Sequence, residues 1–147
     1  AYKMLHLPDG LSQDSLHMLM TCEPQIKEIG DLISRTDVLL FGIGTAMRMA
    51  DQRHIADDVR KQLVDNHAVG EALGQYCDIE GKLIYSTNNI GLSLPDVVKV
   101  PNVIAVAGGQ EKASAIIGVM RACQKGILII DEQAAEGMRQ LLQISAL

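Results

Sequence analysis

The sequence predicts an α/β domain built on an open, Rossmann-like sheet. Three short apolar runs, at 37–41 (DVLLF), 103–107 (VIAVA) and 126–130 (GILII), have the length and β-branched content of buried strands rather than helices. The first two end in glycine turns, GIG at 42–44 and GG at 108–109, and the third ends in Asp131-Glu132. Each turn leads into a helical segment. Strand, turn and helix form the unit of a parallel sheet, and ligands in such sheets bind at the carboxyl ends of the strands.

Composition narrows the function. The chain has 147 residues, 48% of them hydrophobic, which is enough for one domain with a real core. A net charge of −5 speaks against a general nucleic-acid binder, and no DNA-reading motif is evident. Cys22, Cys77 and Cys123 are odd in number and widely spaced, which fits a reduced cytoplasmic compartment better than disulfides or zinc. No apolar run approaches the roughly 18 residues of a membrane span, and no signal-peptide pattern is present. His6, His17, His54 and His67 show no metal-ligand spacing, so neither metal nor cofactor is expected. The methionines read as core filler, with an interface as the other reading.

In chain order, residues 3–7 (KMLHL) read as a short strand closed by Pro8, Asp9 and Gly10. It begins almost at residue 1 with nothing ahead to pair with it, so a piece of a longer protein is expected. Ser12 is placed to cap a helix over 13–21, and a second helix covers 24–34, with Pro24 in its first turn and Ile26, Ile29 and Ile33 on one face. After the strand at 37–41, the turn holding Gly42 and Gly44 leads to a short helix over 47–53. That turn lacks the third glycine of a dinucleotide fingerprint but suits an anion.

A surface helix over 54–64 follows. Asn66 is expected to cap a short helix through Leu73 that carries Glu71. Residues 75–85 read as a hairpin around Glu80-Gly81, and 86–100 as mostly loop with an extended piece near 90–94. The strand at 103–107 and the helix from Ala113 organise the chain. Lys112 stands between them with a full positive charge, so Gly108, Gly109 and Lys112 read as half of an anion site for phosphate. A cation at a helix start is unfavourable by about 0.3–1 kcal/mol unless an anion is near. The last helix covers 133–142, with Ala134, Ala135, Met138, Leu141 and Leu142 facing inward.

Four segments, at 37–53, 67–84, 100–116 and 126–142, resemble in order the C-terminal half of the SorC family of bacterial sugar-responsive transcriptional regulators. The resemblance implies an effector domain of the sugar-phosphate isomerase and deaminase fold. It also implies a longer protein, in which an N-terminal DNA-binding region and a first phosphate-binding strand-loop precede this chain. The expected ligand is a phosphorylated hexose, in the first place fructose 1,6-bisphosphate, with operator DNA and further copies of the chain (a dimer or tetramer) as partners.

By position, Lys112 matches the family's phosphate-contacting lysine, and Glu71 matches an acidic residue of the sugar pocket. Arg53 matches an arginine expected on phosphate, although Gln52-Arg53 stands where a family member has a double arginine. Gly44, Gly108 and Gly109 would contribute backbone. Two other readings stay open. One is an enzyme of the same fold, with Glu71, Asp131 or Glu132 as proton acceptor. The other is an oligomerisation piece.

Overall fold

A computed structural model describes residues 2–8 and 10–143. Two helices open the chain, α1 (Gln13–Cys22) and α2 (Pro24–Ile33). Ser12 caps α1 by accepting the Ser15 N–H at 3.1 Å. Pro24 opens α2, where its missing N–H costs nothing. Ile26, Ile29 and Ile33 are half-buried along one face, as their spacing predicts.

The chain then runs through β1 (Val38–Gly42), β2 (Gly44–Thr45), α3 (Ala46–Gln52), α4 (Asp57–Asp65), β3 (Gly70–Ala72), β4 (Gln75–Cys77) and β5 (Leu83–Ser86). It closes with β6 (Asn102–Ala107), α5 (Ala113–Cys123), β7 (Ile127–Ile130) and α6 (Glu132–Leu141). The three apolar runs form one parallel sheet in the order β1-β6-β7, and the short strands form an antiparallel sheet in the order β2-β3-β4-β5.

The GIG turn is where the chain passes from one sheet to the other. Gly42 pairs with Val106 in the parallel sheet, and Gly44 pairs with Glu71 in the antiparallel one. Ile43 between them is buried and donates its N–H to Val106 O at 3.2 Å. The step therefore brings β3 beside the carboxyl ends of β1 and β6.

Helix α5 sits at the centre of the fold. Its Ile116, Val119 and Cys123 share one core with Val103, Ala105 and Ala107 of β6 and with Phe41. Two glycines set how closely it packs. A Cβ on Gly70 of β3 would lie 2.8 Å from Ala115 O, and one on Gly118 would lie 2.4 Å from Asp78 O. The opposite face of the parallel sheet is open, with Val38, Leu40, Val106, Ile127 and Ile129 exposed, whereas parallel sheets are ordinarily covered on both faces.

Several expectations give way. Residues 3–7 form no strand, because no described segment pairs with them; Lys3 instead makes an ion pair with Glu28 on α2. Asp9 of the expected turn lies outside the described residues. No helix spans 66–73. Asn66 instead ends α4, returning its N–H and its side-chain amide to Gln62 O, and His67 at φ 56 turns the chain into β3.

The 86–100 segment is more structured than a loop. A 3₁₀ turn over Pro95–Lys99 drives Leu94, Val97 and Val100 into the core. On α6, Ala134 is buried, but Ala135, Leu141 and Leu142 are exposed, and Gly137 takes the packing position against Ala113. Met4 and Met18 are exposed, so not all the methionines fill the core.

Candidate functional site

A cavity of about 480 Å³ opens at the carboxyl ends of β1 and β6, between β2, β3 and α3. Its volume lies in the usual range for small-molecule sites, about 300–1,000 Å³. Its lining includes Gly44, Arg48, Gln52, Arg53, Glu71 and Lys112. Three cations and one carboxylate thus share one small space in a chain whose net charge is −5.

Glu71 reaches the cavity from the middle of β3. It is only 3% exposed, and its Oε1 accepts both the Gly74 N–H at 2.7 Å and Arg53 Nη2 at 3.1 Å. Burial pushes its carboxyl above the ordinary range, while Arg53 and the Gly74 N–H pull the other way. Oε2 carries no hydrogen bond among the described residues, which leaves an acceptor for a ligand hydroxyl. Gly44 stands directly opposite Glu71 in the β2–β3 ladder. A Cβ there would lie 3.9 Å from Glu71 Oε2 and much closer to Met49, so a side chain would crowd this wall.

Arg53 ends α3, its N–H returned to Met49 O. With Nη2 on Glu71, its Nε is buried without a hydrogen-bond partner among the described residues. A buried donor of that kind costs free energy until a water or ligand meets it. Lys112 closes a 3₁₀ turn (Gln110–Lys112) and is the N-cap residue of α5. Its ammonium makes no side-chain hydrogen bond among the described residues.

Lys112, Glu71, Arg53 and Gly44 are therefore brought together. Gly108 and Gly109 do not line the cavity. The Gly109 N–H donates to the Asp131 carboxylate at 2.9 and 3.1 Å, and Asp131 also caps α6 by accepting the Ala134 N–H at 2.8 Å. These hydrogen bonds hold the Asp131 carboxyl below its usual range. The Gly109 N–H is thus tied to the start of α6. Glu132 lies in the first turn of α6 and is not part of the cavity wall.

Arg48 was not among the sequence candidates, although it lines the same cavity from α3. The only sequence signal was its place one helical turn before Gln52. A larger cavity of about 760 Å³ lies between α1, α2 and residues 89–92. Leu16, Met20 and Ile33 line it and no Lys or Arg does, so it lacks the charge to take a phosphate. No cluster of His, Cys, Asp and Glu among the described residues could hold a metal. No described helix is long and apolar enough to cross a membrane.

Comparison with known proteins agrees with this architecture. Residues 1–140 match the family model described as "Putative sugar-binding domain". The chain is 38% identical over 135 residues to the central glycolytic genes regulator of Priestia megaterium, and 36% identical over 135 residues to that of Bacillus subtilis. Each match covers 92% of this chain and 39% of the relative, so the chain spans about two-fifths of the length of these regulators. The solved "putative SorC family transcriptional regulator" from Enterococcus faecalis superposes with a TM-score of 0.84 at 38% identity, over 93% of this chain and 56% of that one.

The chain belongs to the sugar-binding domain family of SorC-type transcriptional regulators. The matched proteins named above are regulators of transcription rather than enzymes.

Proposed function

We propose that this chain is the effector-sensing part of a bacterial sugar-responsive regulator and that its cavity binds a phosphorylated sugar, fructose 1,6-bisphosphate or a related glycolytic phosphosugar. The observation that carries this reading is the cavity's charge. Arg48, Arg53 and Lys112 surround a single carboxylate, Glu71, in an otherwise acidic chain. Cations suit a phosphate, and a buried carboxylate with an unused oxygen suits the hydroxyls of a sugar.

In this reading Lys112 and Arg53 hold phosphate, Glu71 accepts from the sugar, and Gly44 keeps the wall clear. Binding acts by population shift. The sugar favours one arrangement of a homo-oligomer by its differential affinity, and the operator-binding domains that accompany this domain in the whole protein change their spacing. The protein is then cytoplasmic, and operator DNA is reached only through that other domain.

Thermal unfolding of the full-length protein with a panel of sugars tests this. A ligand that binds only the folded state stabilises it by about 2.7 kcal/mol at one hundred times its Kd. Glycolytic phosphosugars should raise the Tm, while unphosphorylated hexoses should leave it in place. Recovery of the sugar unchanged after long incubation is the expected chemical outcome, and its conversion would instead favour an enzyme of the same fold.

A further inference from the structure

One carboxylate holds the turn that carries Lys112. β6 and β7 pair in parallel as far as Ala107 and Ile130, so Gly108 and Asp131, the next residue of each strand, emerge side by side. The Asp131 carboxylate lies against the turn, where a Cβ on Gly108 would meet its Oδ2 at 2.7 Å. Gly109, at φ 97, directs both of its backbone polar groups to fixed partners. Its N–H donates to Asp131 Oδ2 at 2.9 Å and Oδ1 at 3.1 Å, and its carbonyl accepts the Lys112 N–H at 3.1 Å, closing the 3₁₀ turn. α6 meets the same turn a second time, where a Cβ on Gly137 would lie 3.1 Å from Gln110 O and 2.9 Å from Ala113 Cβ.

We infer that Asp131 is a positioning residue for the cavity: by holding the Gly109 N–H it fixes the turn from which Lys112 meets the ligand, without touching the ligand itself. This rests on the phosphosugar reading of the cavity, whose wall includes Lys112 but not Asp131. Capping α6 requires one side-chain oxygen, and Oδ1 supplies it to the Ala134 N–H. Oδ2 bonds Gly109 alone among the described residues, so the second oxygen serves the turn and not the helix. A negative charge beside that turn opposes an anionic ligand. Asp131 therefore favours binding through geometry, against the sign of its own charge.

The test is a double-mutant cycle in the full-length protein, read by calorimetric titration with fructose 1,6-bisphosphate. Asp131→Asn keeps an oxygen for the Ala134 cap, since asparagine caps as well as aspartate, but sets an amide NH2 against the Gly109 N–H. Its urea midpoint should change little, while Kd rises about tenfold. Asp131→Ser, which also caps but offers a single, shorter oxygen, should weaken binding likewise. Combined with Lys112→Ala, either change should cost less than about twofold more, because the side chain it positions is gone. In the unmodified protein, hydrogen exchange should find the Gly109 N–H protected.

An unchanged Kd in both variants would make Asp131 a helix cap and nothing more, and tighter binding would make it only a repelling charge. Equal losses with and without Lys112 would show that it acts elsewhere, and a Gly109 N–H exchanging like an open loop would remove the tether. Each result overturns the assignment and leaves the phosphosugar reading standing. Failure of the unmodified protein to bind the sugar would overturn both.

Discussion

Arg53 Nη2 donates to Glu71 Oε1 at 3.1 Å, joining the end of α3 to the middle of β3 across the candidate site. The carboxylate is buried, whereas the Arg53 side chain keeps 28% of its exposure, so the cost of breaking the pair is moderated by solvent. Arg53→Ala should lower stability by about 1–2 kcal/mol, measured as a fall in urea midpoint. It should also abolish or strongly weaken phosphosugar binding.

The same pair makes a pH prediction. The Glu71 carboxyl is raised above its ordinary value of 4.5, chiefly by burial. The folded protein therefore holds this proton more tightly than the unfolded chain. The stability it contributes is fully present below the ordinary carboxylate range and is lost as pH rises through the raised value. Glu71→Gln removes the titration. Its stability relative to the unmodified protein should improve as pH rises from about 4 to 8, read from urea midpoints. A constant difference across that range would contradict the raised carboxyl.

Lys112 caps α5 without a side-chain hydrogen bond of its own, and a cation at that end of a helix is unfavourable. Lys112→Ala should leave the urea midpoint unchanged or slightly raised. It should weaken phosphosugar binding by about 1.5–3 kcal/mol, or roughly 10- to 100-fold, in calorimetric titration.

Gly118 is where α5 packs against the residues that flank β3 and β4. A Cβ there would meet Asp78 O at 2.4 Å and Val69 Cγ2 at 3.0 Å, and a backbone oxygen cannot rotate away as a flexible side chain can. Gly118→Ala should destabilise the fold by about 1–3 kcal/mol, seen as a lower urea midpoint with an unchanged slope.

Cys77 and Cys123 are fully buried, and burial pushes their thiols up to about 12 and about 11. Cys22 is exposed at the end of α1. Reaction with a disulfide reagent at neutral pH should give one fast equivalent in the native protein and all three cysteines after denaturation. A second fast thiol would show that the core around α5 opens readily.

What could be read from the sequence follows from how strong each local pattern is. The strands at β1, β6 and β7 are apolar runs closed by turn residues, and nothing competes with that signal. Short antiparallel strands lack it. β3 has only three residues, Gly70, Glu71 and Ala72, all buried by neighbours distant in sequence, so no alternation marks it as a strand. Asn66 misleads there because asparagine suits either end of a helix, and only its bonds to Gln62 O, one helical turn earlier, show that it closes α4.

The site divides in the same way. Lys112, Glu71 and Arg53 stand out by position and by the family resemblance, and the fold gathers all three. Gly108 and Gly109 look like anion-binding backbone until Asp131, distant in the chain, takes the Gly109 N–H. Arg48 could not be singled out because nothing in the sequence shows which face of α3 meets the cavity. The open face of the parallel sheet was equally hidden, since an apolar strand reads as buried on both sides.

The measurement closest to the central claim is calorimetric titration of the full-length protein with fructose 1,6-bisphosphate, set against glucose 6-phosphate, fructose 6-phosphate and unphosphorylated fructose. The cavity described above predicts saturable binding that requires phosphate and falls sharply in Lys112→Ala. Equal binding of unphosphorylated fructose, or no binding of any phosphosugar, would contradict it.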